Sequence, residues 1–321
     1  MIIPEVRYKT SLITSEGRYN TSPITLYTLY EITNQAKNIL KSYPDDATQI
    51  IIYGEYIYLN MILNNKPLET KEEYEEFKNS IKIILYTSYG QSLEESSENK
   101  NIIYNFYKEF IKITNDIIPK FDSCRWNLDL ARFKNLTLIQ LNYLYLYEIK
   151  NIPSTINKFI VKNSFLKKIK NIPEGIQQFC CSNNKLTKLP CFQYTQLKLL
   201  NFSNNKITTL GLLPDCLECL CFNQNKIVNI PNFPKSLTHL ECSWNRISNL
   251  YSISQNIQTM IVDHNQLYQL PCLSDLHFLK TLICNSNHIH ELPPLPGLIE
   301  YIDYSENPIK LFVPFPFSII K

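Results

Sequence analysis

The chain has 321 residues, of which 44% are hydrophobic and 19% are charged, and 32 Lys and Arg against 29 Asp and Glu give a formal net charge of +3. With only six glycines, the sequence has no Gly-rich phosphate-binding loop, and it has no Ser-His-Asp motif of a nucleophilic enzyme. It also lacks a signal-peptide pattern at its start and an apolar run long enough to span a membrane. We therefore expect one or two globular domains that have no enzymatic activity and need no cofactor.

Residues 1–120 show no internal repeat and predict a small α/β domain. Its first helix is expected in the segment SPITLYTLYEITNQAKNILKSYPDD, where Ser22 can cap the helix and Pro44 ends it. The other predicted elements are two strands, or one strand interrupted at Gly54, over residues 49–63, and helices over residues 69–89 and 101–118.

From residue 136 to residue 312 one pattern recurs about every 20 residues, in about nine units. Each unit has apolar residues at positions 1, 4, 6, 11 and 14 and Asn at position 9. The unit that shows this most clearly contains Leu217, Leu220, Phe222, Asn225, Ile227 and Ile230. Positions 4 to 6 predict a short strand with positions 4 and 6 pointing inward, and stacked units would form a parallel sheet. Residues 121–135 are expected to cap the first unit.

Prolines near the last apolar position of many units indicate an extended or polyproline-like return segment rather than a helix, because proline fixes φ and lacks an N–H donor. These prolines are Pro153, Pro173, Pro190, Pro231, Pro271 and Pro293.

This pattern resembles the leucine-rich repeat in its short form, and it is similar to repeats of bacterial effectors and of proteins from amoebae and their giant viruses. The resemblance implies an α/β fold class: a leucine-rich repeat solenoid with a parallel sheet and an extended convex side, preceded by the small α/β N-terminal domain. Some bacterial effectors carry a ubiquitin-ligase domain after such repeats. Since only nine residues follow Phe312, we expect none here.

The Asn at position 9 stands where the chain turns off the strand, and its amide can satisfy buried backbone groups that no strand reaches. Leu144 and Ser164 occupy this position in the first two units and interrupt the row. The predicted structural ladder comprises Asn184, Asn205, Asn225, Asn245, Asn265, Asn287 and Asn307.

The apolar tail at residues 313–321 is predicted to cover the last unit as a C-terminal cap, because an open solenoid end exposes its core. A dimer contact is the alternative.

Ten cysteines do not predict disulfides here. Cys181, Cys242 and Cys284 stand at the inward position 6, where other units carry Phe or Val, and the cysteines follow no regular pairing scheme. We therefore expect a reducing intracellular compartment, the cytoplasm, which for a viral protein is the host cytoplasm.

The outward positions 3, 5, 7 and 8 predict a binding surface for a partner protein on the concave face, centred on Trp244 in the C-terminal units. Acidic residues around this centre would favour a basic partner. The predicted surface comprises His239, Glu241, Trp244, Asp263, His264, Tyr301, Asp303 and Glu306.

A basic stripe follows the ladder Asn in four units, at Lys185, Lys206, Lys226 and Arg246. We interpret the stripe as a solvated rim, and contact with an acidic protein or nucleic acid is the alternative. Interspersed Asp and Glu disfavour nucleic acid as a partner, and no membrane partner is expected.

No metal is expected, although one alternative concerns two neighbouring units. Cys219 and His239 share position 3, and Cys221 and Glu241 share position 5, so the four side chains would form a rectangle of zinc-compatible donors. An accidental arrangement is the expectation set against it.

The expected function is a non-catalytic protein-protein interaction module. The alternative depends on a short similarity around Gly54 to the core of BTB-type adaptor domains, which bind ubiquitin-ligase scaffolds. It implies a substrate-recruiting adaptor for a ubiquitin ligase that acts through the N-terminal domain.

Overall fold

The computed structural model describes residues 26–53, 126–251 and 253–310. Residues 36–53 and 126–310 fall within one compact unit, and the start of the first helix, to Gln35, is assigned to another. The strands and helices predicted between residues 54 and 118, and the C-terminal tail, lie outside the described residues.

One helix, α1, spans Leu26–Ser42. Ile32 and Ala36 on it are fully buried. The Ser42 hydroxyl donates to the Ile39 carbonyl at 2.7 Å, and Pro44 follows two residues later. The end of the helix therefore agrees with the predicted stop signal, because a proline disfavours the helical conformation of the residue before it. Among the described residues, no helix combines the length and the apolar character needed to cross a membrane.

The described residues form thirteen strands, which follow in chain order. They are β1 (Gln49–Tyr53), β2 (Trp126–Asp129), β3 (Leu138–Asn142), β4 (Leu146–Lys150), β5 (Lys158–Lys162), β6 (Lys168–Ile169), β7 (Gln178–Cys180), β8 (Leu199–Asn201), β9 (Cys219–Cys221), β10 (His239–Glu241), β11 (Thr259–Ile261), β12 (Thr281–Ile283) and β13 (Tyr301–Asp303). Ten of them form one parallel sheet in the order β1-β3-β5-β7-β8-β9-β10-β11-β12-β13. Nine of these strands come from the repeats, one per unit, so the predicted parallel solenoid of about nine units is confirmed.

The strand of most units occupies positions 3 to 5, one residue earlier than the sequence predicted. Leu220 at position 4 and Phe222 at position 6 are both fully buried, as the alternation requires. Backbone pairing continues past the strand, since the Phe222 N–H donates to the Glu241 carbonyl at 2.8 Å and the Gln224 N–H donates to the Ser243 carbonyl at 2.8 Å. The inward positions therefore face one continuous core, in which the rings of Phe202 and Phe222 stack with centroids 5.7 Å apart.

The first repeat strand, β3, is covered by a strand from the N-terminal region. β1 pairs with it in parallel, with Ile50 opposite Ile139 and Ile52 opposite Leu141, and all four side chains are buried. The sequence placed β1 in a separate α/β domain over residues 1–120, whereas here it extends the repeat sheet. The physical reason is that the open edge of β3 would otherwise leave a row of unpaired backbone groups.

A second parallel sheet, in the order β2-β4-β6, lies on the return side of the first units. There the extended return segment predicted from the prolines is regular enough to pair with its neighbours. β2 belongs to the segment predicted to cap the first unit, and it pairs with β4 along Leu128–Ile149 and Asp129–Lys150. In the described later units the return segment has neither helix nor strand over most of its length.

Each Asn at position 9 bridges two consecutive units through backbone groups. The Oδ1 of Asn225 accepts the Ile207 N–H of the preceding unit at 3.0 Å. Its Nδ2 lies 3.1 Å from the carbonyls of both Phe202 and Phe222 and 3.2 Å from that of Asn223. The amide therefore closes its own turn and fixes the neighbouring turn at the same time.

The same set of bonds recurs along the stack. The other members are Asn184, Asn205, Asn245, Asn265, Asn287 and Asn307. In the second unit Ser164 takes part of this role, because its hydroxyl oxygen accepts the Leu144 N–H at 3.2 Å and its O–H donates to the Lys162 carbonyl at 2.9 Å. Ser164 therefore keeps part of the hydrogen bonding that Asn provides in the later units.

Replacing Asn225 by Ala should lower the free energy of unfolding by about 1–3 kcal/mol, because buried backbone groups of two units lose their partner. Chemical unfolding followed by circular dichroism measures this loss. Gln224→Gly is the matched control: it removes the exposed neighbouring side chain at a backbone position with φ of 54° that glycine adopts freely. Equal stability of Asn225→Ala and wild type would show that the amide contributes nothing.

Candidate functional site

The side chains at positions 3, 5, 7 and 8 form the outward face of the ten-stranded sheet, here called the strand face. Because the strands pair in parallel and in register, equivalent positions form rows across the sheet. His239 lies opposite Cys219 and Thr259, and Glu241 lies opposite Cys221 and Ile261. Three groups of predicted site residues lie along these rows.

The first group, the β9–β10 cluster, comprises Cys219, Cys221, His239 and Glu241. The two sulfur atoms are 3.8 Å apart, and one ligand atom from each of Cys219, Cys221 and His239 lies within 4.8 Å of the others. Nε2 of His239 lies 2.8 Å from Oε1 of Glu241, and Asn223 donates its Nδ2 to Oε2 of the same carboxylate at 2.9 Å. The structure therefore places the four residues as the sequence alternative describes.

Protonation in this cluster is set by the contacts between its members. The Cys221 thiol donates toward Cys219 and lowers the pKa of Cys219 to about 7, against the opposing effect of burial and with help from His239. The same contact, together with burial, raises the pKa of Cys221. The bond to Glu241 raises the pKa of His239, and the bond to His239 lowers the pKa of Glu241. Near neutral pH one thiol of the pair is thus readily ionised and the other keeps its proton.

The second group, the aromatic cluster, comprises Trp244, His264, Asp263 and Ser243. The rings of Trp244 and His264 stack with centroids 3.8 Å apart and an angle of 14° between their planes. Asp263 holds this imidazole, with Oδ2 at 2.8 Å from Nδ1 of His264, while its Oδ1 accepts the Ser243 hydroxyl. Trp244 remains 55% exposed, so the stack with His264 covers only part of the indole.

The backbone at position 8 is left-handed in every unit. Trp244 has φ of 58° and His264 has φ of 51°. This conformation costs an L-amino acid other than Gly, Asn or Asp roughly 1–2 kcal/mol. In the early units the position carries Asn163, Asn183 and Asn204, which tolerate it well and are joined side chain to side chain, with Nδ2–Oδ1 distances of 2.7 Å. Tyr143 of the first unit has the same conformation, with φ of 51°, so a bulky residue at this position is not confined to the later units.

The third group lies at the C-terminal end of the strand face. Tyr301 is 46% exposed on β13. Asp303 accepts the hydroxyl of Ser305 at 2.7 Å, and Glu306 accepts that of Ser286 at 2.6 Å. Thr281 and Ile283 of β12 separate this group from the aromatic cluster. The eight predicted site residues therefore form three neighbouring clusters rather than one.

Sequence reasoning missed the residues that hold these clusters. Asn223, Ser243 and Ser286 each orient a carboxylate or a loop, yet at position 7 or 8 they read as ordinary polar residues. The sequence did contain one signal for the backbone at this position. Asn stands at position 8 of several early units and favours left-handed backbone, and Trp244 occupies the same position in a later unit.

The basic stripe begins at a half-buried lysine. Burial lowers the pKa of Lys185, and the neighbouring charge of Lys206 lowers it further. Lys185 and Lys206 therefore lie close enough for their like charges to interact.

Alkylation of reduced, metal-free protein at pH 7 should modify Cys219 faster than an ordinary cysteine, whose thiol has a pKa of about 8.5. Peptide mass spectrometry after short exposure to iodoacetamide measures the rate at each cysteine. Cys221→Ala should slow the reaction at Cys219 because the donor is lost, whereas Cys221→Ser keeps an O–H donor and is the matched control. Buried Cys242, whose pKa is raised, should stay unmodified. Equal rates at Cys219 in all three proteins would contradict the assigned cause.

No protein-family model matches the chain, and no curated protein matches its sequence. Among solved structures, YopM from Yersinia enterocolitica WA-314 is 24% identical over 58% of this chain and 46% of its own, with a TM-score of 0.52. A plant ice-binding protein is 18% identical over 59% of this chain and 69% of its own, with a TM-score of 0.45. The functional domain of InlJ from Listeria monocytogenes is 21% identical over 58% and 45%, with a TM-score of 0.40.

The match to YopM spans less than half the length of that protein and concerns the fold alone. It agrees with the parallel sheet of one strand per unit described above. The resemblance found in the sequence is thereby confirmed at the level of architecture: the repeats of this chain fold as a leucine-rich repeat solenoid.

Proposed function

We propose that the chain is a non-catalytic protein-interaction module whose strand face binds a basic partner protein, with the contact centred on Trp244. In leucine-rich repeat solenoids the strands line the concave side, so this is the concave-face site expected from the sequence. One observation carries the proposal: a half-exposed indole is held in left-handed backbone and stacked on a second ring.

The stack gives Trp244 the properties of an interface anchor. Trp is enriched among residues that dominate binding energy, since it buries a large area with few rotatable bonds. Contact with His264 on one side already restricts the indole, so a partner that covers the other side loses less side-chain entropy on binding.

The surroundings of Trp244 combine apolar surface with negative charge. Ile261 on β11 and Ile283 on β12 stand at position 5 of their repeat units and remain partly exposed. From the unit of Cys219 to the end of the described repeats, no Lys or Arg stands at positions 3, 5, 7 or 8. The same positions carry four carboxylates, Glu241, Asp263, Asp303 and Glu306. This arrangement favours a partner that presents basic side chains around an apolar centre.

The early units present a different surface. Lys158 and Lys162 on β5 stand at positions 3 and 7 of the second repeat unit. In this unit the position equivalent to Trp244 carries Asn163. Asn163 is joined to Asn142 and Asn183, which leaves its amide engaged within the solenoid. These differences support a contact on the later units rather than the early ones.

Replacing Trp244 by Ala should weaken partner binding by roughly 30-fold or more, which corresponds to about 2 kcal/mol for an interface anchor. Partners are captured from the native cell with the full chain, and the affinity for the recovered protein is then measured. Tyr251→Ala is the matched control, because Tyr251 is an aromatic residue that is 84% exposed away from the strand face.

The double change Asp263→Lys with Asp303→Lys should abolish capture of a basic partner by reversing the local charge. Glu174→Lys with Asp215→Lys reverses two exposed charges that lie off the strand face and should leave capture intact. Capture of a cullin-type scaffold that none of these substitutions reduces would refute the strand-face site and favour the adaptor alternative. The full chain is needed throughout, because β1 from residues 1–120 is part of the repeat sheet.

A further inference from the structure

We propose that Cys219, Cys221 and His239 bind one zinc ion on the strand face, with Glu241 orienting the imidazole. This site is separate from the contact centred on Trp244 and does not depend on the proposed function. Among the residues that the structure describes, these three form the one cluster of three His, Cys or acidic donors close enough to share an ion.

The sulfur atoms already stand at the separation that zinc requires. Zinc bonds thiolate sulfur at about 2.3 Å in tetrahedral geometry, which places two sulfur ligands about 3.8 Å apart. The observed separation of the Cys219 and Cys221 sulfur atoms is 3.8 Å. An ion therefore fits between them without a change in the strand that carries both.

The imidazole comes from the neighbouring strand and is held by a carboxylate. His239 lies directly opposite Cys219 in the register of β9 and β10. Its Nε2 is engaged by Glu241 at 2.8 Å, which leaves Nδ1 as the nitrogen for the metal. A histidine ligand whose other nitrogen donates to a carboxylate is the common arrangement at zinc sites, because the carboxylate fixes the ring and increases its basicity.

The support beneath the cluster is rigid. Leu220 and Leu240, between the ligand positions of the two strands, are fully buried, as are Phe222 and Cys242 just after them. Asn223 holds the second oxygen of Glu241. Strands fixed by a packed core hold ligands more accurately than loops do. Water supplies the fourth ligand on the exposed side, as in three-ligand zinc sites.

Protonation is compatible with metal binding. Zinc takes thiolates, so binding releases the thiol protons and grows stronger as pH rises. The pKa of Cys219 is lowered to about 7, which makes its proton easy to displace, whereas the raised pKa of Cys221 means that the ion itself must drive off the second proton.

Zinc content of the purified full chain tests the proposal. Protein kept reduced is stripped with a chelator, reloaded with zinc and dialysed against metal-free buffer, and we expect about one zinc per chain by elemental analysis. Cobalt in place of zinc should give thiolate-to-cobalt charge-transfer bands in the near ultraviolet, which report sulfur ligands directly.

The variants separate a true site from adventitious binding. Cys219→Ser with Cys221→Ser should lose the zinc and the cobalt bands, while Cys191→Ser, which removes an exposed cysteine elsewhere, should keep both. Glu241→Gln should retain the bands but weaken zinc binding by about 10–100-fold, as expected for an orienting carboxylate. Circular dichroism confirms that each variant is folded.

Wild-type protein that retains less than about a tenth of an equivalent of zinc would overturn the proposal. So would equal zinc content in the wild type and in the folded double variant. Because these four side chains stand at the outward positions 3 and 5 of their units, loss of zinc does not require loss of the fold.

Discussion

In seven of the nine repeat units, one side-chain amide determines how the solenoid is built. The amide of Asn225 accepts one backbone N–H and lies within hydrogen-bond distance of three carbonyls, and two of these four groups belong to the preceding unit. Asn suits this role because its short side chain carries a donor and an acceptor on one rigid plane. Ser164 provides only part of this hydrogen bonding. Its hydroxyl keeps the acceptor and one donor but does not reach the carbonyl of the preceding unit.

The bridge of two units by one amide fixes the strand face as well. The residue at position 8 has left-handed backbone along the whole stack, at Asn204 as at Trp244. That residue points outward and takes no part in the core. The surface at this row can therefore change from linked amides to stacked rings while the solenoid beneath it stays the same. The energetic cost of a bulky residue there falls on the local backbone and not on the packing.

The period alone predicted most of the repeat region, because burial at positions 4 and 6 is a local consequence of strand alternation. The in-register placement of Cys219 beside His239 followed from the same period. The pairing of Gln49–Tyr53 with Leu138–Asn142 could not be predicted, since it joins segments more than 80 residues apart that share no repeat. The stack of Trp244 on His264 could not be predicted from the sequence either, because ring contacts depend on rotamers that a pattern of residue types does not specify.

The β9–β10 cluster and the aromatic cluster of the strand face are connected by hydrogen bonds. Asn223 donates to Glu241 and accepts the Ser243 N–H at 2.8 Å. The Ser243 hydroxyl donates to Asp263, which holds the imidazole under the indole. Trp244 joins this chain by ring stacking alone, so its removal leaves every polar link toward the thiols in place.

This connection decides how the two proposals are told apart. Trp244→Ala removes the proposed anchor without touching a zinc ligand, and Cys219→Ser removes a ligand without touching the stack. Asp263→Lys breaks the shared chain between them and can affect both sites. Loss of the partner with zinc retained therefore assigns recognition to the aromatic cluster itself. If removal of zinc alone weakens the partner, linkage requires that the partner strengthen zinc binding by the same factor, and that reciprocity can be measured.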